Sequence, residues 1–321
     1  MGEKLVINGH GDEREVRPLM FPDKKPRNWS YETADQILYL SRELRDQFEV
    51  GQKEATVVVQ TAYPTLPIVI SLMTDTHYGA LNVNTRLLNE HLGIIRSTPN
   101  FFMVHNGDHT DNFNATGKWA SGMSEDPLPQ QIASRAWAAK LKELDDEGKV
   151  IALGFGNHDD FGLKAGQDYH ESFLSNFRAP ILTSGGLLHI VHGNQSYDLA
   201  MTHLYWGTSK LNPTNACKRF LDFEYPNADI IFLGHTHQSE GLHFEKGGKD
   251  RIACIGGTYK DSDDWARKHG IGGRSGSPGW AVALWPDTRG MMLFQDIEKA
   301  EIFIQQEVFI KEGLDNKIKG K

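Results

Sequence analysis

Apolar residues in this chain fall into short blocks set between polar stretches rich in Gly, Asp, Asn and His. Nine blocks, at residues 55–61, 68–73, 101–104, 150–153, 187–191, 197–201, 230–233, 251–255 and 280–284, have strand length and turn residues nearby, which predicts mostly buried strands. Tyr63-Pro64-Thr65-Leu66-Pro67 reads as the turn that feeds the second of them. Between the early strands the period changes. Leu87, Leu88, His91, Leu92 and Ile95 follow a helical spacing behind Asn84 as cap; Ile132, Ala136, Leu141 and Leu144 do the same between Pro129 and Gly148. A helix is also predicted nearer the start, capped by Ser30, with Ile37, Leu40, Leu44 and Phe48 on one stripe and its end near Gly51.

The order strand, helix, strand, helix, strand, then mostly strands, predicts layered sheets with helices outside. The expected organisation is an N-terminal extension over 1–64 carrying the amphipathic helix, a main domain over 65–300 and a frayed C-terminal tail over 301–321. The extension fits a dimer contact, a cap facing the site or plain packing, and the sequence does not choose among them. In the tail Ile302, Ile304 and Phe309 alternate briefly before Lys317-Ile318-Lys319-Gly320-Lys321. The longest apolar run, 67–73, is far short of the ~20 residues that cross a bilayer, and the first residues lack the pattern of a secretion or lipidation signal. Two cysteines, Cys217 and Cys254, supply neither a disulfide framework nor a four-thiolate zinc site, so a soluble cytoplasmic protein is expected. With 34 Lys+Arg against 42 Asp+Glu the net charge is −8, which gives no global footprint for duplex nucleic acid.

The chemistry sits at the strand ends. Five loops carry it: Thr74-Asp75-Thr76-His77, Gly107-Asp108-His109-Thr110-Asp111-Asn112, Gly156-Asn157-His158-Asp159, Thr202-His203 and Gly234-His235-Thr236-His237. Residues two apart in extended chain point the same way, so Asp75 with His77, and His235 with His237, can each grip one centre. Oxygen and imidazole donors without thiolate suit Mn, Fe, Zn or Mg. Asp108 is the natural bridge between two cations, because a carboxylate has two oxygens and the cations of two-metal hydrolases lie ~3.5–4 Å apart. The glycines ahead of Asp108, Asn157 and His235 fit places where the chain turns sharply or approaches an ion.

The order Asp-x-His, Gly-Asp-x-x-Asp, Gly-Asn-His-Asp, His, Gly-His-x-His, each behind an apolar strand, resembles the calcineurin-like metallophosphoesterase superfamily over residues 68–238. The resemblance implies an α/β fold, a four-layer α-β-β-α sandwich of two mixed sheets flanked by helices. It implies two divalent metal ions, Mn foremost with Fe, Zn or Mg as alternatives. It assigns Asp75, His77, Asp108 and His237 to one ion, and Asp108, Asn157, His203 and His235 to the other. It implies that His158 donates a proton or hydrogen bond to the substrate phosphate and that Asp111 orients His158. An alkoxide leaving group needs a proton, and an imidazole held by a carboxylate suits that task. The implied activity is hydrolysis of a phosphoester by metal-activated hydroxide.

Phosphodiesters lead as substrate class and a nuclease is the favoured subtype, because Asp75-Thr76-His77-Tyr78-Gly79 and Gly-Asn-His-Asp are similar to the DNA-repair exonuclease branch. A basic loop adds to this: Lys246, Lys249, Arg251, Lys260, Arg267, Lys268 and Arg274, with Trp265 and the glycines from Gly270 to Gly279, could track nucleic acid. It is equally readable as solvated surface, since Asp250, Asp261, Asp263 and Asp264 dilute its charge. A phosphomonoesterase is the alternative, and a catalytically silent binding module with this fold a further one. His189 and His192 compete with His203 for the fourth motif. His105 and His109 read either as substrate contacts or as hydrogen-bonding support for Asp108. His10, His91, His170, His243 and His269 read as unrelated to metal.

Overall fold

A computed structural model describes residues 6–7, 53–80, 82–111, 127–159, 176–209, 211–261 and 277–319. The helix expected behind Ser30, together with His10, His170, His269, Trp265, Arg267, Lys268 and Arg274, lies outside the described residues. In chain order the elements are β1 (Val6–Ile7), β2 (Glu54–Val58), β3 (Ile68–Met73), α1 (Thr85–Ser97), β4 (Phe101–Asn106), α2 (Pro127–Asp146), β5 (Val150–Gly154), β6 (Ile181–Leu182), β7 (Gly186–His192), β8 (Gln195–Thr202), α3 (Asn215–Phe223), β9 (Ile230–Leu233), β10 (Glu240–Lys246), β11 (Lys249–Ile255), β12 (Trp280–Leu284), β13 (Met291–Phe294) and α4 (Ile297–Lys319).

They build two sheets, seven strands in the order β1-β2-β7-β8-β9-β11-β10 and six in the order β13-β12-β3-β4-β5-β6. β3, β4 and β5 run parallel, as strands joined through the crossover helices α1 and α2 must. Asn84 caps α1 by accepting the Leu87 N–H at 3.0 Å. β3 is apolar at every position but Ser71 because both its faces are buried. Ile68, Ile70 and Leu72 join Phe102, Val104, Leu199, Phe232 and Cys254 between the sheets. Val69 and Met73 face the other way, with Leu88, Ile95, Trp137 and Leu141 of α1 and α2. On the far side α3 covers the seven-stranded sheet, laying Ala216, Cys217, Phe220 and Leu221 on Ala200, Ile231 and Ala253. The layers are therefore α-β-β-α, as the motif resemblance implied. No helix among the described residues is long and apolar enough to cross a membrane.

Two features differ from the sequence reading. β2, inside the segment set aside as an extension, pairs in parallel with β7 and sends Val57 into the inter-sheet core. The expected tail is a correction: residues 301–319 continue α4, which buries Ile297, Ala300 and Ile304 against the core beside α1 and α2. Of the residues that suggested alternation, Ile304 turns inward, while Ile302 and Phe309 are exposed.

His189 belongs to the sheet and not to the site. Its Nδ1 lies 2.6 Å from Asp198 on β8 and its Nε2 2.6 Å from Glu54 on β2. Burial pulls its pKa down, but the two carboxylates outweigh that and hold it above the ordinary histidine value. A raised folded-state pKa adds stability that is complete below the unfolded value and fades as pH rises through the folded one. His189→Gln should therefore lower the urea midpoint more at pH 6 than at pH 8.5; equal losses at both would remove the charge from this account.

Candidate metal centre

The ends of β3, β4, β5, β8 and β9 converge because hydrogen bonds continue past the strands. Asp75 N–H donates to Gly107 O and His77 N–H to Asp108 O, both at 3.0 Å, so the first two loops stay zipped together. Asn106 Nδ2 crosses to the other sheet, donating to Thr202 O at 2.8 Å and Phe232 O at 3.2 Å. Asp159 closes the third side: its carboxylate accepts the backbone N–H groups of Asp108, His109 and Gly156 at 2.9, 3.1 and 2.8 Å. Burial and the Asp108 charge push the Asp159 pKa up to about 8 against the pull of those N–H donors.

The backbone at this junction is unusual. Among the described residues six non-glycines have positive φ, and five of them are Asp75, His77, Asp108, His235 and His237. The left-handed region costs an L-residue about 1–2 kcal/mol, and Asp and His are among those that visit it most readily. Strain concentrated in this way on titratable side chains points to a site.

The side chains form three groups whose donor atoms lie within 4.8 Å of one another: Asp75, His77 and His237; Asp108, His203 and His235; and His77, Asp111 and His158. In the first, Asp75 Oδ1 lies 3.2 Å from His237 Nε2 and 3.7 Å from His77 Nε2. Its other oxygen is tied back, accepting His235 N–H at 2.9 Å. In the second, His203 Nδ1 donates to Asn106 O at 2.8 Å, which turns Nε2 towards Asp108 Oδ2 at 3.0 Å. Asp108 Oδ2 is also 3.8 Å from His77 Nε2, so one carboxylate oxygen faces both groups. Asp108 Oδ1 instead accepts the His158 N–H at 2.9 Å. A bridge, expected from the two oxygens, would therefore fall on Oδ2 alone.

Charge and hydrogen bonding both fit cations here. Asp75 Oδ1, Asn157 Oδ1 and His203 Nε2 are buried without a hydrogen-bond partner, an arrangement that polar groups avoid unless something completes it. Burial alone would raise the Asp75 and Asp108 pKa values, but the imidazoles around them hold both well below the carboxylate range. Asp111, with Asp75 and Asp108, overcomes burial at His77, raised to about 9, and Asp108 and Asp75 overcome it at His203, raised to about 10, so protons supply the positive charge in the protein alone. Carboxylate, imidazole and amide donors without sulfur match hard to borderline divalent ions.

Two expectations are refined. Asp111 places its Oδ1 3.0 Å from His77 Nδ1 and 3.9 Å from His158 Nδ1, so its carboxylate meets His77 more closely than His158. It is the Asp111 backbone carbonyl that accepts the His158 Nδ1–H, at 2.6 Å. His158 then presents an unprotonated Nε2 towards Asp108 Oδ2 at 3.9 Å. Burial lowers its pKa to about 4, below the near-neutral value a general acid suggests, so donation from Nε2 requires a second proton on the ring.

The competing histidines separate cleanly. His192 Nε2 donates to Leu66 O at 2.8 Å, away from the groups above, and His189 is held by Glu54 and Asp198. His105 and His109 are fully buried and stack at 4.0 Å, out of reach of a substrate arriving from solvent. His109 Nδ1 accepts the Trp137 Nε1–H at 3.0 Å and its Nε2–H donates to Gly154 O at 2.9 Å, which fixes a neutral tautomer beside Asp108. His91 joins Tyr259 at 2.6 Å and Glu298 at 2.9 Å, and His243 lies 3.9 Å from Asp250 on β10–β11. Sequence reasoning counted Lys260 with the basic loop and not with the site; its Nζ donates to Asp111 Oδ1 at 3.1 Å and the residue is only 7% exposed. The sequence signal that could have set it apart is its place in the loop that leaves the apolar end of β11 (Lys249–Ile255).

The sequence pattern of the calcineurin-like phosphoesterases matches residues 68–239, which hold all seven candidate ligands and more than half of the chain. The chain belongs to that family. No curated protein matches the sequence. Among solved structures it is similar to a metallophosphoesterase from Sphaerobacter thermophilus, at 13% identity and a TM-score of 0.35 over 71% of this chain and 88% of that one. A predicted phosphoesterase from Streptococcus pneumoniae matches at 14% identity and a TM-score of 0.32, over 72% and 98% of the two chains. Vps29 from Chaetomium thermophilum matches at 12% identity and a TM-score of 0.35, over 71% and 92%.

Proposed function

We propose that this protein is a phosphoester hydrolase working with two divalent cations, Mn first among them. Asp75, His77, Asp108 and His237 would hold one, and Asp108, Asn157, His203 and His235 the other. The observation that carries this is Asp108 Oδ2, a buried carboxylate oxygen that faces the imidazoles of both groups, at 3.8 Å from His77 and 3.0 Å from His203. Bound there, such ions polarise phosphoryl oxygens and make water acidic enough to be a nucleophile near neutral pH. The chain does the rest. Asp75 and Asp108 are buried carboxylates that concentrate negative charge there, and His158, once its ring has gained a second proton, would hand that proton from Nε2 to the leaving oxygen. All seven proposed ligands carry competent donors, which a catalytically silent module would have no need to keep.

Phosphodiesters are the first substrate class, on the strength of Asp75-Thr76-His77-Tyr78-Gly79 and Gly-Asn-His-Asp. Nucleic acid as the particular diester loses part of its support, because the basic strip does not exist as one surface among the described residues. Arg251 is buried and donates to the carbonyls of Pro226, Asn227 and Ala228, Lys246 pairs with Asp222, and Lys260 is buried on Asp111. The buried free thiols of Cys217 and Cys254 suit the cytoplasm. Protein purified without chelator should hold about two equivalents of metal and, with Mn, cleave bis-p-nitrophenyl phosphate faster than p-nitrophenyl phosphate. Faster cleavage of the monoester would make it a phosphatase; less than one equivalent of metal, unrestored by added Mn, would end the hydrolase reading.

A further inference from the structure

The third donor group, His77, Asp111 and His158, has the composition of a cation site but differs from the other two in one respect. Its carboxylate already has a cation. Lys260 Nζ donates to Asp111 Oδ1 at 3.1 Å, and the lysine is 7% exposed and the aspartate fully buried. Burying an ammonium is costly unless a carboxylate meets it, so the pair is stable only as a pair. The segment that carries Lys260 is anchored from two sides. Thr258 Oγ1 donates to Asp75 O at 2.8 Å and also accepts the Lys260 N–H at 3.0 Å. Tyr259 O accepts the Asn84 N–H at 2.9 Å at the head of α1, and the Tyr259 hydroxyl meets His91 at 2.6 Å. His91 Nε2–H in turn donates to Glu298 of α4. The ammonium is thus delivered to Asp111 by backbone that also grips the loop of Asp75.

The same Asp111 oxygen meets a proposed ligand. Oδ1 is 3.0 Å from His77 Nδ1, on the ring edge opposite Nε2, which faces Asp75 and Asp108. A carboxylate behind a ligating imidazole fixes the ring and its tautomer and makes the ligating nitrogen more basic. We infer that Lys260 is a positioning residue for the centre: it holds Asp111 against His77 Nδ1, so that His77 Nε2 is aimed at the first cation, and it fills the third donor group so that no divalent ion binds there. This inference rests on the two-cation reading of the preceding subsection.

The test is Mn titration by calorimetry of chelator-stripped, full-length protein, for wild type, Lys260→Met, Lys260→Arg, Asp111→Asn and Asp111→Asn/Lys260→Met, with kcat and KM of each. Wild type should bind two equivalents. Lys260→Met should weaken one of the two by about tenfold, and lower kcat more than it raises KM, while Lys260→Arg recovers most of the loss. A third, weak equivalent in Lys260→Met would support the filling role directly. If the lone charge left on Asp111 prevents Lys260→Met from folding, the double variant removes it, and against Asp111→Asn alone it should show no more than about twofold further weakening. Two equivalents at wild-type affinity with unchanged kcat in Lys260→Met, or a further tenfold loss on the Asp111→Asn background, would overturn the inference and leave the hydrolase reading standing. A wild type that binds no Mn would instead overturn both.

Discussion

Asp108→Asn should fold and lose turnover, with kcat down by roughly a thousandfold, about 4 kcal/mol of transition-state stabilisation. The substitution keeps the shape and removes the charge. An amide oxygen at the Oδ1 position still accepts the His158 N–H that now lies 2.9 Å away, so the link between the second and third loops survives. At the Oδ2 position an NH2 replaces the one oxygen that faces both His77 and His203. It carries no charge, and its protons point at imidazole nitrogens that must stay free to bind metal. Metal content should therefore fall from about two equivalents to at most one, while the melting temperature of stripped protein changes by only a few degrees. Asp108→Ala would also leave the His158 N–H without its acceptor and is the less informative variant. Wild-type kcat in Asp108→Asn with both metals retained would sink the assignment of the bridge.

The strands that carry the site were legible in the sequence because they are buried on both faces. β3, β9 and β12 have the bounds that their apolar runs predict, since Ser71 is the one polar residue in Ile68–Met73, Ile230–Leu233 and Trp280–Leu284. Elements with a mixed environment were not. β10 is a largely half-exposed edge strand with Glu, His and Lys in it, and α3 is only nine residues long. α4 leaves Ile302, Phe309, Ile310 and Leu314 in the open, so its apolar residues give no single stripe and a few of them imitate a strand.

At the site, residue type and order were enough to gather the side chains but not to say which nitrogen or oxygen meets which. The family resemblance set Asp111 beside His158; it could not show that the carboxylate turns to His77 while the backbone carbonyl takes His158. Nor does a lysine among aspartates announce that it is buried, and Lys260 read as surface for that reason. The left-handed backbone at five of the candidate ligands is also invisible to spacing, because Asp and His adopt it more readily than most residues but do not require it. Local sequence selects which groups meet, and the crossing of loops from separate strands selects their orientation.

Gly156→Ala should lose more activity than stability, because the added methyl would land on Asp108. A Cβ at Gly156 would lie 2.2 Å from Asp108 Oδ1 and 2.6 Å from its backbone nitrogen. Neither atom can yield freely: Oδ1 is held by the His158 N–H, and the Asp108 N–H by the Asp159 carboxylate that also binds Gly156 N–H. Relief comes by pushing the Asp108 carboxylate off its place between the two imidazole groups. Overpacking of this kind costs about 1–3 kcal/mol of stability, whereas a shift of about 1 Å in a reacting centre costs on the order of a hundredfold in rate. Gly107→Ala meets the same junction from the other side, where its Cβ would lie 2.3 Å from Gly156 N, and it adds a φ of +82°. There the clash is backbone on backbone with no side chain to move, so that variant should fail to fold rather than fold and fail to act. Gly93→Ala, on α1 with nothing within 4 Å of the new methyl, is the matched control and should gain up to about 1 kcal/mol. Thermal melts with metal content and kcat on all three separate a packing defect from a displaced carboxylate. A Gly156→Ala protein with native kcat and about two equivalents of metal would show that Asp108 does not need the space this glycine leaves.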